Sequence, residues 1–287
     1  MKTVLITGAT GDIGTHLRRE LAGRYAFRLA DLRPIRNASA GETFMRADCA
    51  KMRDMLRATR GVDAIVHLGG FSVEGPWDTI LRANIVGAYN VFEAARQNGV
   101  KRILFATSNH AVGFYRRDQV IDHRVYIKPD SRYGVSKVFG EALGSLYADK
   151  YGAQVFNMRI GNVNPRPLDK RRLSIWVSPR DIAQLVRIGI EHPDIRFEIV
   201  YAVSGNQRSW YDNSNAFRLG YKPQDDGEQY AAEILAVEKP VTDLQAETFQ
   251  GGVFVSVESA GDPAGMLRKK RKRSVTAGKR AGVRKKR

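Results

Sequence analysis

The stretch Val4-Leu-Ile-Thr-Gly-Ala-Thr-Gly-Asp-Ile-Gly14 decides the fold. Its apolar opening reads as a buried strand, its three gapped glycines as a tight turn, and residues 13–22 as a helix. A strand passing through such a turn into a helix is the start of a mononucleotide-binding βα unit. Gly8 allows the turn, Gly11 lets the backbone approach a pyrophosphate, and Gly14 lets helix and strand pack closely. The helix N-terminus, with Asp12 and Ile13 in its first turn, then presents amides to the phosphates, where its dipole favours negative charge.

Working outward, apolar runs alternate with helical periodicity, the signature of a parallel sheet wrapped by helices. Strands are expected at Phe27–Ala30, Thr43–Ala47, Ala64–Leu68, Arg102–Thr107 and Gln154–Arg159. Long helices are expected over 77–98 and from Tyr133 to about Lys150. Beyond Gly161 the pattern loosens into a polar loop, a helix near 179–191, a strand at 196–201 and short elements to 262. The fold class is therefore α/β: a Rossmann-type doubly wound parallel sheet with a small C-terminal substrate-covering region and a basic disordered tail. Residues 1–161 form the dinucleotide-binding domain, 162–262 the covering region and 263–287 the tail.

Asp31 closes the second strand, placed to accept hydrogen bonds from an adenosine ribose and to repel a 2′-phosphate. This favours NAD over NADP, with Arg33 two residues on as the contrary signal. Leu32, Asp48, Cys49, Leu68, Gly69 and Gly70 end or follow neighbouring strands, where a dinucleotide must pass. Asp48 could instead cap the next helix, and Cys49 reads as a partly buried thiol, since no histidine lies near it in sequence.

Composition narrows the function classes. The net charge is +17, but 12 basic residues lie after Asp262, the last acid, leaving 35 basic against 30 acidic residues upstream. The charge belongs to the tail, which could hold a polyanion such as nucleic acid non-specifically. No aromatic residue is interleaved among those cations, so base stacking is unsupported. A single cysteine excludes an internal disulfide, and five scattered histidines show no metal-ligand spacing, so no metal is expected. Nothing in the sequence reads as a leader or a membrane span, which makes a reducing cytoplasm the expected compartment.

In Ser131-Arg-Tyr-Gly-Val-Ser-Lys137, Tyr133 and Lys137 share one helical face. A phenol and an ammonium about 4 Å apart interact by roughly 4 kcal/mol at an effective dielectric near 20, or about three pKa units. That would bring the tyrosine towards neutrality, where a general base works best. An apolar stripe of Val135, Val138, Phe139, Ala142 and Leu146 lies on the opposite side and is expected to face the core.

The glycine turn, Asp31, Asn84, Ser108 and Tyr133-x-x-x-Lys137 together resemble the extended short-chain dehydrogenase/reductase family. The resemblance covers roughly residues 1–256. It implies Tyr133 as catalytic base, Lys137 as the group that lowers its pKa and holds the nicotinamide ribose, Ser108 on the substrate oxygen, and Asn84 among the cofactor-site residues. His67-Leu-Gly-Gly-Phe-Ser-Val-Glu74, Ser108-Asn-His-Ala-Val-Gly-Phe-Tyr115, Arg171-Arg-Leu-Ser-Ile-Trp176, Trp210-Tyr-Asp-Asn213 and Phe249-Gln-Gly-Gly-Val-Phe254 are similar to the uronate dehydrogenase family within it. That resemblance implies oxidation of the anomeric hydroxyl of glucuronate or galacturonate to an aldarolactone, with NAD reduced. It puts Ser72, Ser108, Asn109, His110, Tyr133, Asn162, Arg171 and Phe254 around the sugar acid, with Asn162 where the family usually has serine. It also implies a homo-oligomer. Independently, a guanidinium such as Arg171 or its neighbour Arg172 can grip a planar carboxylate with two parallel hydrogen bonds. The same fold and Tyr–Lys pair also suit a nucleotide-sugar epimerase or dehydratase, although residues 162–262 leave it a small covering lobe.

Overall fold

The computed structural model describes residues 1–237 and 241–258; the tail expected at 263–287 lies outside the described residues. Its centre is a parallel seven-stranded sheet in the order β3-β2-β1-β4-β5-β6-β9. These strands are β1 (Thr3–Thr7), β2 (Ala26–Asp31), β3 (Glu42–Arg46), β4 (Ala64–His67), β5 (Arg102–Ser108), β6 (Gln154–Ile160) and β9 (Phe197–Ala202). The chain runs outward from β1 through β2 to β3, then returns to β4 on the other side of β1. That reversal opens a crevice at the carboxyl ends of β1 and β4, where ligands bind in such sheets.

Burial on both faces explains the apolar strands: Val4, Leu5 and Ile6 are all sealed. One layer packs α1 (Asp12–Glu20) beside α7 (Pro179–Glu191), with Leu17, Ile182, Leu185 and Val186 against Val4, Ile6 and Leu104. The other packs α2 (Met52–Ala58), α4 (Gly87–Gln97) and α5 (Arg132–Tyr151) over Leu5, Ile65 and Ile103. Ser178 starts α7 by accepting from Asp181 N at 3.2 Å, with Pro179 in the first turn. Between β6 and α7 the chain makes an excursion: β7 (Asn162–Val163), α6 (Arg172–Ile175) and β8 (Trp176–Val177), with β7 and β8 paired parallel.

Two expectations change. The helix expected over 77–98 is α3 (Trp77–Ile80), a π-helical turn (Leu81–Val86) and α4 in continuous succession. The wide turn carries Asn84 inward, buried, where Nδ2 donates to the Phe71 carbonyl and Ser136 Oγ, each at 2.9 Å.

The second correction is to α5. Its apolar stripe faces outward: Val135 and Leu146 are 45% and 49% exposed, Ala142 is exposed, and Val138 and Phe139 are half-buried. The buried face instead holds Tyr133, Gly134, Ser136, Lys137, Gly140, Glu141 and Gly144, with Leu143, Tyr147 and Ala148 towards its C-terminal end. Glycine is the physical reason, because α5 lies so close to the sheet that side chains do not fit. A Cβ on Gly140 would come within 2.1 Å of the Phe105 ring, and one on Gly144 within 2.9 Å of Val155. Hydrophobic periodicity counts large apolar side chains, so it points to the wrong face of a helix that packs through glycine.

Candidate active site

A cleft of about 730 Å³ runs across the carboxyl ends of the strands. At its adenosine end lie Asp31, Leu32, Arg33, Asp48 and Cys49; at its centre are Gly8, Gly11, Asp12, Ile13, Gly14, Leu68, Gly69 and Gly70. Its far end is lined by Ser72, Ser108, His110, Tyr133, Lys137, Asn162, Arg171 and Phe254. Of the expected site residues, Asn84 and Asn109 alone do not line it. Asn84 sits behind the wall, holding the Phe71 backbone through Phe71 N→Oδ1 at 2.7 Å as well as the carbonyl contact above.

The glycines make the central passage possible. Gly8 adopts φ +69°, and a Cβ there would lie 2.8 Å from Gly69 N. A Cβ on Gly14 would lie 2.7 Å from the Ala9 carbonyl oxygen. Asp31 accepts from Thr10 N at 3.0 Å and Arg33 N at 3.1 Å, so its carboxylate is fixed at the mouth. The Arg33 guanidinium turns back onto Thr10, donating to Oγ1 at 3.2 Å. Asp48 does not cap α2; it accepts from Ala50 N at 2.9 Å and pairs with Arg82. Burial pushes the Cys49 thiol up to about 12, so it stays protonated and inert as a nucleophile at neutral pH. Glycine clearance, the helix N-terminus and a fixed acid at the ribose end fit a dinucleotide.

Ser131 caps α5 by accepting from Gly134 N at 3.0 Å, and this sets the first turn that carries Tyr133. Glu74 reinforces the same turn, accepting from Tyr133 N at 2.9 Å while pairing with Arg132. One turn on, Lys137 Nζ donates to the Ala106 carbonyl at 2.8 Å and lies 5.4 Å from the Tyr133 ring centroid. The expected lowering of the tyrosine pKa is not there. Burial pushes Tyr133 up to about 12, opposed by its hydrogen bond with Ser108. Burial also brings Lys137 down to about 8. The ammonium stands over the ring, tied to a backbone carbonyl, and both groups have lost their water. Directly below, His67 is paired with Thr7 Oγ1 at 2.7 Å, and burial, followed by the Lys137 charge, depresses it to about 3. It is therefore neutral and adds no second cation beside Lys137.

At the far end, His110 Nδ1 is 2.7 Å from Asp130 Oδ2, and its ring stacks on Phe254 with centroids 3.8 Å apart. Ser108 Oγ accepts from His110 N at 3.2 Å. Asn164 Nδ2 donates to Asn162 Oδ1 at 2.8 Å. Arg171 and Arg172 both line the cleft, but Arg172 is paired with Asp169, whereas no ion pair involves Arg171 among the described residues. Arg171 Nε donates to the Gln250 carbonyl at 2.9 Å, and burial depresses the guanidinium to about 10. Gly252, at φ +64°, leaves no room beyond that side chain, since a Cβ would lie 2.7 Å from Arg171 Cδ. This is a half-buried cation with a face open to the cleft, and arginine cannot shed its proton to relieve the cost of lost water.

Sequence reading missed the partners behind these groups. Asp130 orients His110 across 20 residues of separation, and Glu141 forms a buried pair with Arg159 at 2.9 Å while accepting from Thr107 Oγ1 at 2.7 Å. Neither pair carries a short-range spacing signal. An acid on the buried face of α5 becomes informative only once that face is known.

With this geometry in hand, comparisons place the chain. The model of the NAD dependent epimerase/dehydratase family matches residues 4–172. A uronate dehydrogenase of Pseudomonas putida is 42% identical over 254 residues, 88% of this chain and 94% of its own. An NAD-dependent glucose-6-phosphate dehydrogenase of Haloferax volcanii is 36% identical over 254 residues, 80% of this chain and 96% of its own. Among solved structures, a tyrosine-to-alanine variant of uronate dehydrogenase from Agrobacterium tumefaciens, complexed with NAD, superposes with a TM-score of 0.86 at 40% identity, covering 89% of this chain and 97% of that one. The chain is therefore a member of the NAD dependent epimerase/dehydratase family, the extended short-chain dehydrogenase/reductases, with NAD as its cofactor.

Proposed function

We propose that the protein is a uronate dehydrogenase that oxidises the anomeric C1 hydroxyl of glucuronate or galacturonate to the aldarolactone. One observation carries the reading: Arg171, a half-buried guanidinium without a carboxylate partner among the described residues, opens into the same cleft as Tyr133. An anionic substrate end compensates that charge, and a planar carboxylate can take two parallel hydrogen bonds from it. Similarity to uronate dehydrogenases along nearly the whole chain supports the same substrate class.

In this reading NAD, when bound, supplies the hydride acceptor. Tyr133 takes the proton of the C1 hydroxyl as C1–H leaves as hydride, so the C1–O single bond becomes the lactone carbonyl. Ser108, which lines the same end of the cleft as Tyr133, shares the substrate oxygen and stabilises developing charge there. Lys137 keeps positive charge beside the phenol and would hold the nicotinamide ribose of a bound NAD. Its bond to the Ala106 carbonyl fixes that position on β5. Ser72, His110 and Asn162 contact the sugar hydroxyls, Arg171 the acid, and Phe254 closes over His110. Holding both ends of the sugar aligns C1 for reaction.

The outward stripe of α5, with Val86 at 38% and Tyr89 at 46% exposure on the π-helical turn and α4 that pack beside it, supports a homo-oligomer that covers it. No helix among the described residues is long and apolar enough to cross a membrane, and the lone cysteine suits a reducing cytoplasm. The test is growth of reduced-cofactor absorbance when the protein meets NAD with glucuronate or galacturonate, against glucose and galactose. Turnover of the acids and not of the neutral sugars is expected. Equal turnover of both, or none with any hexuronic acid, overturns the assignment.

A further inference from the structure

Tyr211 is 7% exposed and stacks face to face on Tyr201, with ring centroids 4.0 Å apart and planes 6° from parallel. A bridge to Ile121 fixes its backbone. Tyr201 is itself locked, accepting from Arg159 Nη1 at 3.3 Å and donating to the Asp122 carbonyl at 2.9 Å. The Tyr211 ring therefore cannot swing, and its position is inherited from the buried Glu141–Arg159 pair on the catalytic side of the sheet. Its hydroxyl is buried beside Asn109 and Arg171, yet makes no well-formed hydrogen bond. A buried hydroxyl without a well-formed partner is costly, so its placement there calls for a role.

Asn109 supplies the connection. In the amide orientation its neighbours require, Nδ2 donates to the Ile160 carbonyl at 3.1 Å and Oδ1 accepts from Arg171 Nη2 at 3.0 Å. Oδ1 has a second lone pair, and the Tyr211 O–H is a donor beside it. Arg171 is thus held through Nε by Gln250 and through Nη2 by Asn109, which leaves Nη1 and the second Nη2 hydrogen for an incoming acid. Asn109 is 1% exposed and lies behind the cleft wall rather than on it.

We propose that Tyr211 and Asn109 are a positioning pair for Arg171, setting the plane in which its guanidinium meets the substrate's carboxylate. The inference rests on the uronate reading. Tyr211→Phe keeps the stacked ring and removes the hydroxyl alone. It is expected to raise KM for glucuronate or galacturonate about five- to tenfold, with kcat and NAD affinity within about twofold, the pattern of lost ground-state binding. In an Arg171→Lys background the same change is expected to add less than about twofold, because the group it positions is gone. An unchanged KM, a kcat that falls with the rise in KM, or the full effect retained in the Arg171→Lys background overturns the proposal. Wild-type turnover of a hexuronate is measured first, and its absence defeats the uronate reading instead. In that event protection of the full chain against thermal unfolding by glucuronate, relative to glucose, compares wild type with Tyr211→Phe. Equal protection of the two overturns the positioning role, and weaker protection of the variant upholds it.

Discussion

Lys137→Met should make the protein more stable and inactive, and the gain should shrink as pH rises. Lys137 is 7% exposed, and burial brings its pKa from 10.5 to about 8. A lysine whose folded pKa lies below its unfolded value binds a proton in the unfolded chain, and not in the folded one, between those two values. Stability therefore climbs with pH from about 8 to about 10.5. Below about pH 8 the folded protein carries the full cost of a buried ammonium, on the order of 3 kcal/mol at 1.36 kcal/mol per pKa unit. Methionine fills a similar volume without charge, so most of that cost is recovered at pH 7. By pH 9.5 the lysine is largely neutral in the folded state, and linkage leaves a difference of about 1.4 kcal/mol. Urea unfolding of wild type and variant at both pH values reads the effect directly, because the other titrating groups cancel in the difference. A stability difference that stays constant across that range would refute the claim that Lys137 is held dehydrated against the Ala106 carbonyl. A variant less stable than wild type at pH 7 would refute it as well.

Two further perturbations probe other parts of the frame. Glu141→Leu leaves the Arg159 guanidinium, whose side chain is 2% exposed, without its partner, and should cost about 3–5 kcal/mol in urea unfolding. Adding Arg159→Met should restore most of that loss; a double variant as unstable as the single one would mean the pair is not the source. Tyr133→Phe should lower kcat by about 10²- to 10⁴-fold, measured as reduction of NAD with a hexuronate, while cofactor affinity by fluorescence titration stays within about twofold. Retained turnover would remove the phenol from the chemistry.

The sheet was legible because buried parallel strands announce themselves as apolar runs; every expected strand is present to within a residue or two at each end. The glycine turn was legible because the requirement is local: Gly8 at φ +69° against Gly69 leaves no alternative residue. What escaped depended on long-range approach. The orientation of α5 was misread because Gly140 and Gly144 bring it onto Phe105 and Val155, and glycine carries no hydrophobic signal. The π-helical turn at Leu81–Val86 differs from an α-helix only in how its carbonyls are paired, which no side-chain pattern records. The tyrosine pKa was misjudged because a four-residue spacing places the lysine on the same face but does not say that the phenol is buried, and burial pushes its pKa up. Residues that line the cleft were found well from motifs, whereas those that hold them, Asp130, Glu141 and Tyr211, were not.

In the proposed reading, the proton-accepting phenol and the acid-gripping guanidinium stand on separate pieces of chain. Tyr133 belongs to α5, which is glycine-packed against the sheet and has no space to vary. Arg171 and Asn162 belong to the excursion between β6 and α7, which leaves the sheet and returns to it. An insertion in that detour would leave the sheet and the helix that carries Tyr133 in place. In the proposed reading, the two ends of the sugar are met by segments that the fold holds in different ways. Descendants of such a scaffold can therefore change what they recognise without reinventing what they do to it.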